Sequence, residues 1–305
     1  MFKNLIVVTI AVIPAIIWLY LFLNKRNVNK WLIAAVFIGG MVAAKLVLIY
    51  QGYWGDTINF IFFKVDPVDF KTNIYSIIGS KPVLALFLSF IGVGVIEEFS
   101  KFFIMKLIGK RFFRSIDDVI ELAIISALGF AFLENIIYFS SHWDQLSTGN
   151  FFIFALMRVT VVTMVHMLCS GLFGYYYGMA YFASPMLKIK NMKSSEEHPV
   201  ISLLQKVFYV DRANIHYYQM FISGIFLAML AHALYDFLLS INIGFLVAPI
   251  MFAYLFGGFW FLRYLLKKKE LNIKLGLVGT DVMPKEDFTK LVDEIQEIKA
   301  KMKES

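Results

Sequence analysis

Cysteine is almost missing from this chain: Cys169 is the only one in 305 residues. That excludes an internal disulfide and a cysteine-built metal cage, and leaves Cys169 as a small packing residue inside a helix. Charge is also sparse, with Asp, Glu, Lys and Arg making up 17% of the residues against 59% apolar ones. No internal repeat, no low-complexity tract and no HExxH pair occurs, and HExxH is the spacing that makes a zinc site specific. The net charge of +7 does not mark a nucleic-acid binder. The Lys and Arg sit in short loops between apolar runs, not on one phosphate-tracking face.

What the chain does have is a series of apolar runs, and a mean hydropathy of +0.70. Each run is near the roughly 20 residues that a helix needs to cross a bilayer. Seven spans are predicted: Leu5–Leu23, Trp31–Tyr50, Pro82–Ile108, Val119–Phe139, Phe151–Phe182, Tyr218–Ser240 and Ile243–Leu266. The first has Lys3 before it, Lys25 and Arg26 after it, and no small-residue cleavage site, so it reads as an uncleaved anchor. Basic residues follow spans one, three, five and seven. By contrast, Ser140–Asn150 has no Lys or Arg, and Gln51–Lys81 balances three Lys with Asp56, Asp66 and Asp69. Positive loops stay cytoplasmic, so the N-terminus is expected outside and the C-terminus inside. The expected fold is thus an all-α polytopic membrane helix bundle over residues 1–266, followed by a charged cytoplasmic tail, 267–305. In that tail Pro284 opens a short amphipathic helix in which Phe288, Leu291, Ile295, Ile298 and Met302 recur at three-four spacing. Such a helix allows docking or self-association.

A charged group inside a span costs about 2.5–3.5 kcal/mol on insertion scales, so each needs a reason. Lys45 and Glu121 lie close enough to their helix ends to snorkel. Arg158 is about two turns in, deep enough to call for a carboxylate partner. Glu97, Glu98 and Lys101 in span three, Glu134 and Asn135 in span four, His166 in span five, and His232 and Asp236 in span six have no such explanation.

Three features predict that these residues meet. The first is face. Gly224, Ala228, His232 and Asp236 follow at steps of four, as do His166, Ser170, Gly174 and Gly178, while Gly94 precedes Glu98 by one turn. Small residues mark helix contacts in membranes, so these stripes point inward. The second is depth. Glu134 and His232 lie roughly 22 Å from their cytoplasmic ends, and Glu97, Glu98 and His166 lie near 17 Å. The third is charge, because Glu97, Glu98, Glu134 and Asp236 crowded in low dielectric cannot all ionise unaided. A proton, a shared proton or a metal ion must relieve them, and that is a setting for acid–base chemistry.

The same residues resemble a known family. Glu97-Glu98-Phe-Ser-Lys101 resembles the EExxK motif of PrsW-type intramembrane proteases, and Phe130 to Asn135 resembles their FxxxEN. His166 stands where the family has a histidine in the following helix, and His232-Ala-Leu-Tyr-Asp236 resembles its HxxxD. The motifs keep the family's order over 83–240, the motif-bearing core. The resemblance implies site-1-type cleavage of membrane-anchored regulators, such as anti-sigma factors, near the outer face of a bacterial cytoplasmic membrane. The wider superfamily includes the CAAX prenyl proteases and bacteriocin-immunity relatives. These carry EExxxR where this chain has Lys101 at a shorter spacing, and a histidine where it has Glu134, so a prenyl-protein protease is disfavoured.

Peptide hydrolysis suits the chemistry. Glu97 or Glu98 activates a water, and Lys101, within one turn of both, keeps a carboxylate ionised and oriented. His166 or His232 shares the water's proton or protonates the leaving amine. Asn135 is a neutral donor for a developing oxyanion, and Asp236 fixes its neighbours. A metal-free, glutamate-type reaction is the favoured expectation; zinc held by His166, His232 and Glu134 is the alternative. The expected partner is a membrane-anchored protein substrate within the bilayer. A proton- or cation-coupled transporter and a non-catalytic scaffold are the competing classes. Transporters tend to show paired halves, and no second half mirrors Gly92-Val-Gly94 here.

Overall fold

The structure, a computed structural model, describes residues 2–23, 29–52, 58–60, 63–65, 82–193, 212–240 and 247–274. Helices α1 (Phe2–Leu23) and α2 (Lys30–Gly52) precede a hairpin of two three-residue strands, β1 (Ile58–Phe60) and β2 (Phe63–Val65), paired antiparallel with Ile58 opposite Val65. Then come α3 (Pro82–Gly109), a 3-10 turn at Lys110–Phe112 and α4 (Ile116–His142). A long rod follows: α5 (Thr148–Met157), a π turn (Arg158–Val162) and α6 (Thr163–Lys193). The last two helices are α7 (Arg212–Ser240) and α8 (Val247–Lys274).

The architecture is the expected all-α membrane bundle. Five helices are long and apolar enough to cross a membrane: Lys30–Tyr50, Ile116–His142, Thr148–Phe182, His216–Ser240 and Ala248–Glu270. The other two predicted spans are also helical. α1 is apolar over Leu5–Tyr20, and α3 is interrupted in composition by Glu97, Glu98 and Lys101. Large apolar side chains such as Phe256, Trp260, Leu107 and Leu156 face outward, as lipid contact requires. The tail helix around Phe288–Met302, most of Gln51–Lys81 and the start of the seventh predicted span at Ile243 lie outside the described residues. α8 continues beyond Leu266, and in that extension Lys269 is buried and donates to Asp117 Oδ1 at 2.5 Å.

α4 is the central helix, packed against α2 and α6 along much of its length. Its start is written locally. Ser115 accepts from the Asp118 N–H, and the Asp118 carboxylate accepts from the Ser115 N–H, a capping box that also puts acidic charge at the helix's positive end. Glycine then sets the approach of α2. A Cβ on Gly129 would lie 1.9 Å from the Phe37 carbonyl oxygen, and one on Gly40 would lie 2.0 Å from that of Ser126. Backbone cannot yield as a flexible side chain does. Gly129→Ala is therefore expected to destabilise the bundle by about 1–3 kcal/mol, the usual cost of overpacking. Gly149→Ala, with nothing within 4 Å of its Cβ, should leave melting in detergent unchanged. Equal melting of the two variants would contradict this packing.

The small-residue stripes of α3, α6 and α7 are contacts of the same kind. A Cβ on Gly94 would come within 2.8 Å of the Met229 carbonyl, one on Gly174 within 2.9 Å of Ile120 Cα, and one on Gly224 within 2.5 Å of Tyr176 Cβ. Immediately beyond Lys101, on the expected cytoplasmic side, Phe102 packs edge-on against Phe173 at 4.7 Å and Tyr177 at 5.1 Å, and tilted against Phe221 at 5.3 Å. This aromatic layer forms an apolar floor beneath the polar residues.

Candidate active site

The eight residues singled out in the sequence converge where α3, α4, α6 and α7 meet. Glu97, Glu98 and Lys101 share one face of α3 and are all buried. Lys101 Nζ donates to Glu98 Oε1 at 2.7 Å, lies 3.6 Å from Glu97 Oε2, and sits 4.3 Å above the Phe130 ring. It is also 2.8 Å from His166 Nδ1. An ammonium only donates, so Nδ1 accepts and the imidazole proton sits on Nε2, which donates to Glu134 Oε2 at 3.0 Å. His232 has the opposite tautomer. Its Nδ1 is 2.7 Å from the Glu98 carboxylate and carries the proton, which leaves Nε2 facing Glu97 Oε2 and Asp236 Oδ2, each at 3.5 Å.

The adjacent glutamates therefore have different surroundings. Glu98 accepts from Lys101, from His232 and, at 3.3 Å, from Ser170. Glu97 Oε2 is buried and makes no hydrogen bond. One carboxylate holds the site together, and the other is left available.

The α4–α6 side is organised around the π turn. Arg158 Nε donates to Asn135 Oδ1 at 3.0 Å, and its guanidinium lies 3.7 Å over the Tyr138 ring. Arg158 Nη2 is 3.1 Å from Glu134 Oε2 without making a hydrogen bond to it. Asn135 Nδ2 donates to Thr163 Oγ1 at 3.4 Å, and Thr163 returns to the Arg158 carbonyl through both its hydroxyl and its N–H.

A cavity of about 480 Å³ opens above the cluster. Glu97, Glu134, Arg158, His166, His232 and Asp236 line it, whereas Glu98, Lys101 and Asn135 lie behind the wall. Its upper lining includes Tyr138, Phe154 and Ser240, the last being the end of α7. It thus runs toward the helix ends that the loop charges place outside.

Were all four carboxylates (Glu97, Glu98, Glu134, Asp236) ionised and both imidazoles neutral, Lys101 and Arg158 would leave the cluster at a net −2. A divalent cation would neutralise that charge. Glu97, His166 and His232 each offer a ligand atom within 4.8 Å of the others, a carboxylate and two imidazoles of the kind zinc takes in open sites. Glu97 Oε2 and His232 Nε2 are free for this. Both nitrogens of His166 are engaged, so a metal would take one over from Lys101 or Glu134. The donor set fits a metal, with Glu98 in the outer position that orients a ligating histidine. The sequence reading offered Glu134 as the carboxylate of such a set; the ligand atoms that lie together here are those of Glu97, His166 and His232, and Glu134 is bonded to His166 and paired with Arg158. The sequence also showed Arg158 as a deep cation needing a carboxylate, but not as part of the cavity wall.

Residues 28–194 match the family model described as "PrsW family intramembrane metalloprotease". The matched segment runs from α2 through α6 and carries every cluster residue except His232 and Asp236, which α7 adds from outside it. No curated protein and no solved structure matches the chain.

Proposed function

This chain belongs to the PrsW family of intramembrane metalloproteases, and on that premise we propose that Glu97, His166 and His232 form the reaction centre of a peptidase acting on a membrane-anchored protein. Membership makes the chain a multi-pass membrane peptidase whose substrate is a membrane protein. The observation that carries the assignment to these residues is Glu97 Oε2: buried, on the cavity wall and without a hydrogen bond, with His232 Nε2 at 3.5 Å and Lys101 Nζ at 3.6 Å.

A zinc-like cation held by Glu97, His166 and His232 would supply Lewis-acid polarisation of the scissile carbonyl and a water of lowered pKa. The chain's own residues do the rest. Glu98 holds the His232 proton on Nδ1 and so keeps Nε2 turned to the cavity. Glu134 receives the His166 Nε2 proton and restrains that ring. Asp236 Oδ2, on the wall and 3.5 Å from His232 Nε2, takes up a proton and returns it to the leaving amine. The aromatic floor closes the site to cytoplasmic water.

One observation favours the metal-free route as a second reading. Lys101 already places a cation 3.6 Å from Glu97 Oε2 and 2.8 Å from His166 Nδ1. In that reading Glu97 takes the proton from water as the water oxygen attacks the carbonyl carbon. Glu97 then passes that proton to His232 Nε2, 3.5 Å away, and His232 gives it to the amine as the C–N bond breaks. The two readings separate cleanly. The first expects purified protein to hold stoichiometric metal, and expects cleavage of a single-pass substrate to stop on chelation and return with zinc. Full cleavage by chelated, metal-free protein would establish the second.

The direction of the cavity supports cleavage near the outer face, with N-terminus outside and C-terminus inside. An anti-sigma-factor-like regulator in a bacterial cytoplasmic membrane is the proposed kind of substrate. The motif-bearing core, 83–240, forms the site, and 267–305 is proposed as the cytoplasmic tail.

A further inference from the structure

We propose that Arg158 is a substrate-contacting catalytic residue, its guanidinium Nη2 donating to the carbonyl oxygen of the scissile peptide and to the oxyanion that forms there. The inference rests on the peptidase reading above. When the water oxygen bonds to the carbonyl carbon, the C=O π pair moves onto oxygen, and a donor fixed at that position stabilises it. When the carbonyl reforms, the C–N bond breaks and the amine leaves with a proton from within the site. Arg158 supplies no electrons and no proton; it holds the oxygen.

Four observations converge on this residue. Its side chain is only 11% exposed, it lines the cavity, and Nη2 makes no hydrogen bond although Glu134 Oε2 is 3.1 Å away. A buried donor on the cavity wall, ion-paired with Glu134 yet making no hydrogen bond, is placed to donate to an acceptor that enters the cavity. The guanidinium is also immobilised in advance, by Asn135 at Nε, by the Tyr138 face, and by the π turn that Thr163 closes onto the Arg158 carbonyl. Single π turns within α-helices recur at functional sites, and here the turn aims Arg158 at the wall. Preorganised donors are the kind that stabilise an oxyanion, because they need no rearrangement as charge develops.

The third observation removes the obvious competitor. Asn135, the neutral donor expected from the sequence, spends Oδ1 on Arg158 and Nδ2 on Thr163, and lies behind the wall. The fourth identifies the acceptor. Four carboxyl groups surround two cations in the cluster, and Glu134 already pairs with Arg158, which disfavours a further carboxylate from the substrate there; a peptide carbonyl brings no charge until the transition state. Lys101, the cluster's other cation, is behind the wall and committed to Glu98 and His166.

The test measures kcat and KM of full-length wild type, Arg158→Gln, Arg158→Lys, Glu134→Gln and the double variant R158Q/E134Q on one single-pass substrate in detergent. Melting is followed throughout, with E97Q as the inactive control. Removing an oxyanion donor costs about 10²–10³-fold in kcat, and KM should stay within about threefold. The double variant should be at least as slow as R158Q, and R158Q should bind a phosphinic-peptide mimic of the tetrahedral anion weaker than wild type does, by a similar factor. Arg158→Lys should fold and melt like wild type yet remain at least tenfold slow. If Arg158 merely neutralises Glu134, the double variant recovers the rate of Glu134→Gln and Arg158→Lys recovers that of wild type; either result overturns the proposal. R158Q at wild-type kcat overturns it while leaving the peptidase reading intact. Wild type that cleaves no better than E97Q removes the peptidase reading, and this inference with it.

Discussion

Glu97→Gln is expected to cut peptide-bond cleavage by at least about 10²–10⁴-fold, the span that a positioned proton acceptor contributes. It should do so with expression, membrane insertion and melting near wild type. Gln keeps the shape and one carbonyl oxygen, but it neither accepts the water's proton nor ligates a cation as a carboxylate does. Stability should not suffer much because Glu97 Oε2 has no hydrogen bond to lose, and Lys101, its cation at 3.6 Å, keeps the closer Glu98 carboxylate at 2.7 Å. Glu98→Gln is expected to lose activity for another reason. It removes the charge that pairs Lys101 and leaves one oxygen where two serve Lys101, His232 and Ser170, so its loss should come with lowered melting. His232→Ala should also abolish cleavage. The comparison rests on cleavage and thermal unfolding measured on the same detergent preparations. A fully active Glu97→Gln protein would remove the carboxylate from the chemistry and leave a polar core.

The largest stability effect is expected at Lys101. Its ammonium is 1% exposed and serves Glu98, Glu97 and His166 together. Lys101→Met fills much the same volume but leaves the Glu98 carboxylate buried without a cation. Breaking one side of a buried pair costs about 3–5 kcal/mol. The variant should therefore melt far below wild type or fail to accumulate, and Lys101→Met combined with Glu98→Gln should recover much of the loss, because the carboxylate that Lys101 holds most closely goes with it. Thermal unfolding of the single and double variants decides the matter. A Lys101→Met protein that melts with wild type would show that Glu98 does not depend on this cation.

The helix bundle was legible because lipid restricts the chain so severely. A run such as Trp31–Tyr50 has to be a helix, since no other backbone arrangement satisfies its own hydrogen bonds in hydrocarbon. Convergence of the polar residues was legible for a related reason. His166 and His232 each sit on a stripe of small residues, and helices pack through such stripes, so their polar groups were bound to face a neighbour. The ordered motifs from Glu97 to Asp236 carried the family, which the match over 28–194 supports independently.

Three things waited for the tertiary structure. Glu97 and Glu98 are one residue apart on a helix, so they point about 100° from each other. Both lie within a turn of Lys101, and nothing along the chain says which one the other helices leave unpartnered. Arg158 could be seen to need a carboxylate, but its aim depends on a π turn that adds a residue to one turn of an otherwise ordinary apolar helix. Asn135 sits in a motif suggesting a catalytic donor, yet its two polar ends are consumed by Arg158 and Thr163. Helical periodicity fixes which residues share a face, and that is enough to gather a cluster. The direction in which each side chain spends its hydrogen bonds is set by partners 23 to 134 residues away, and no local pattern encodes it.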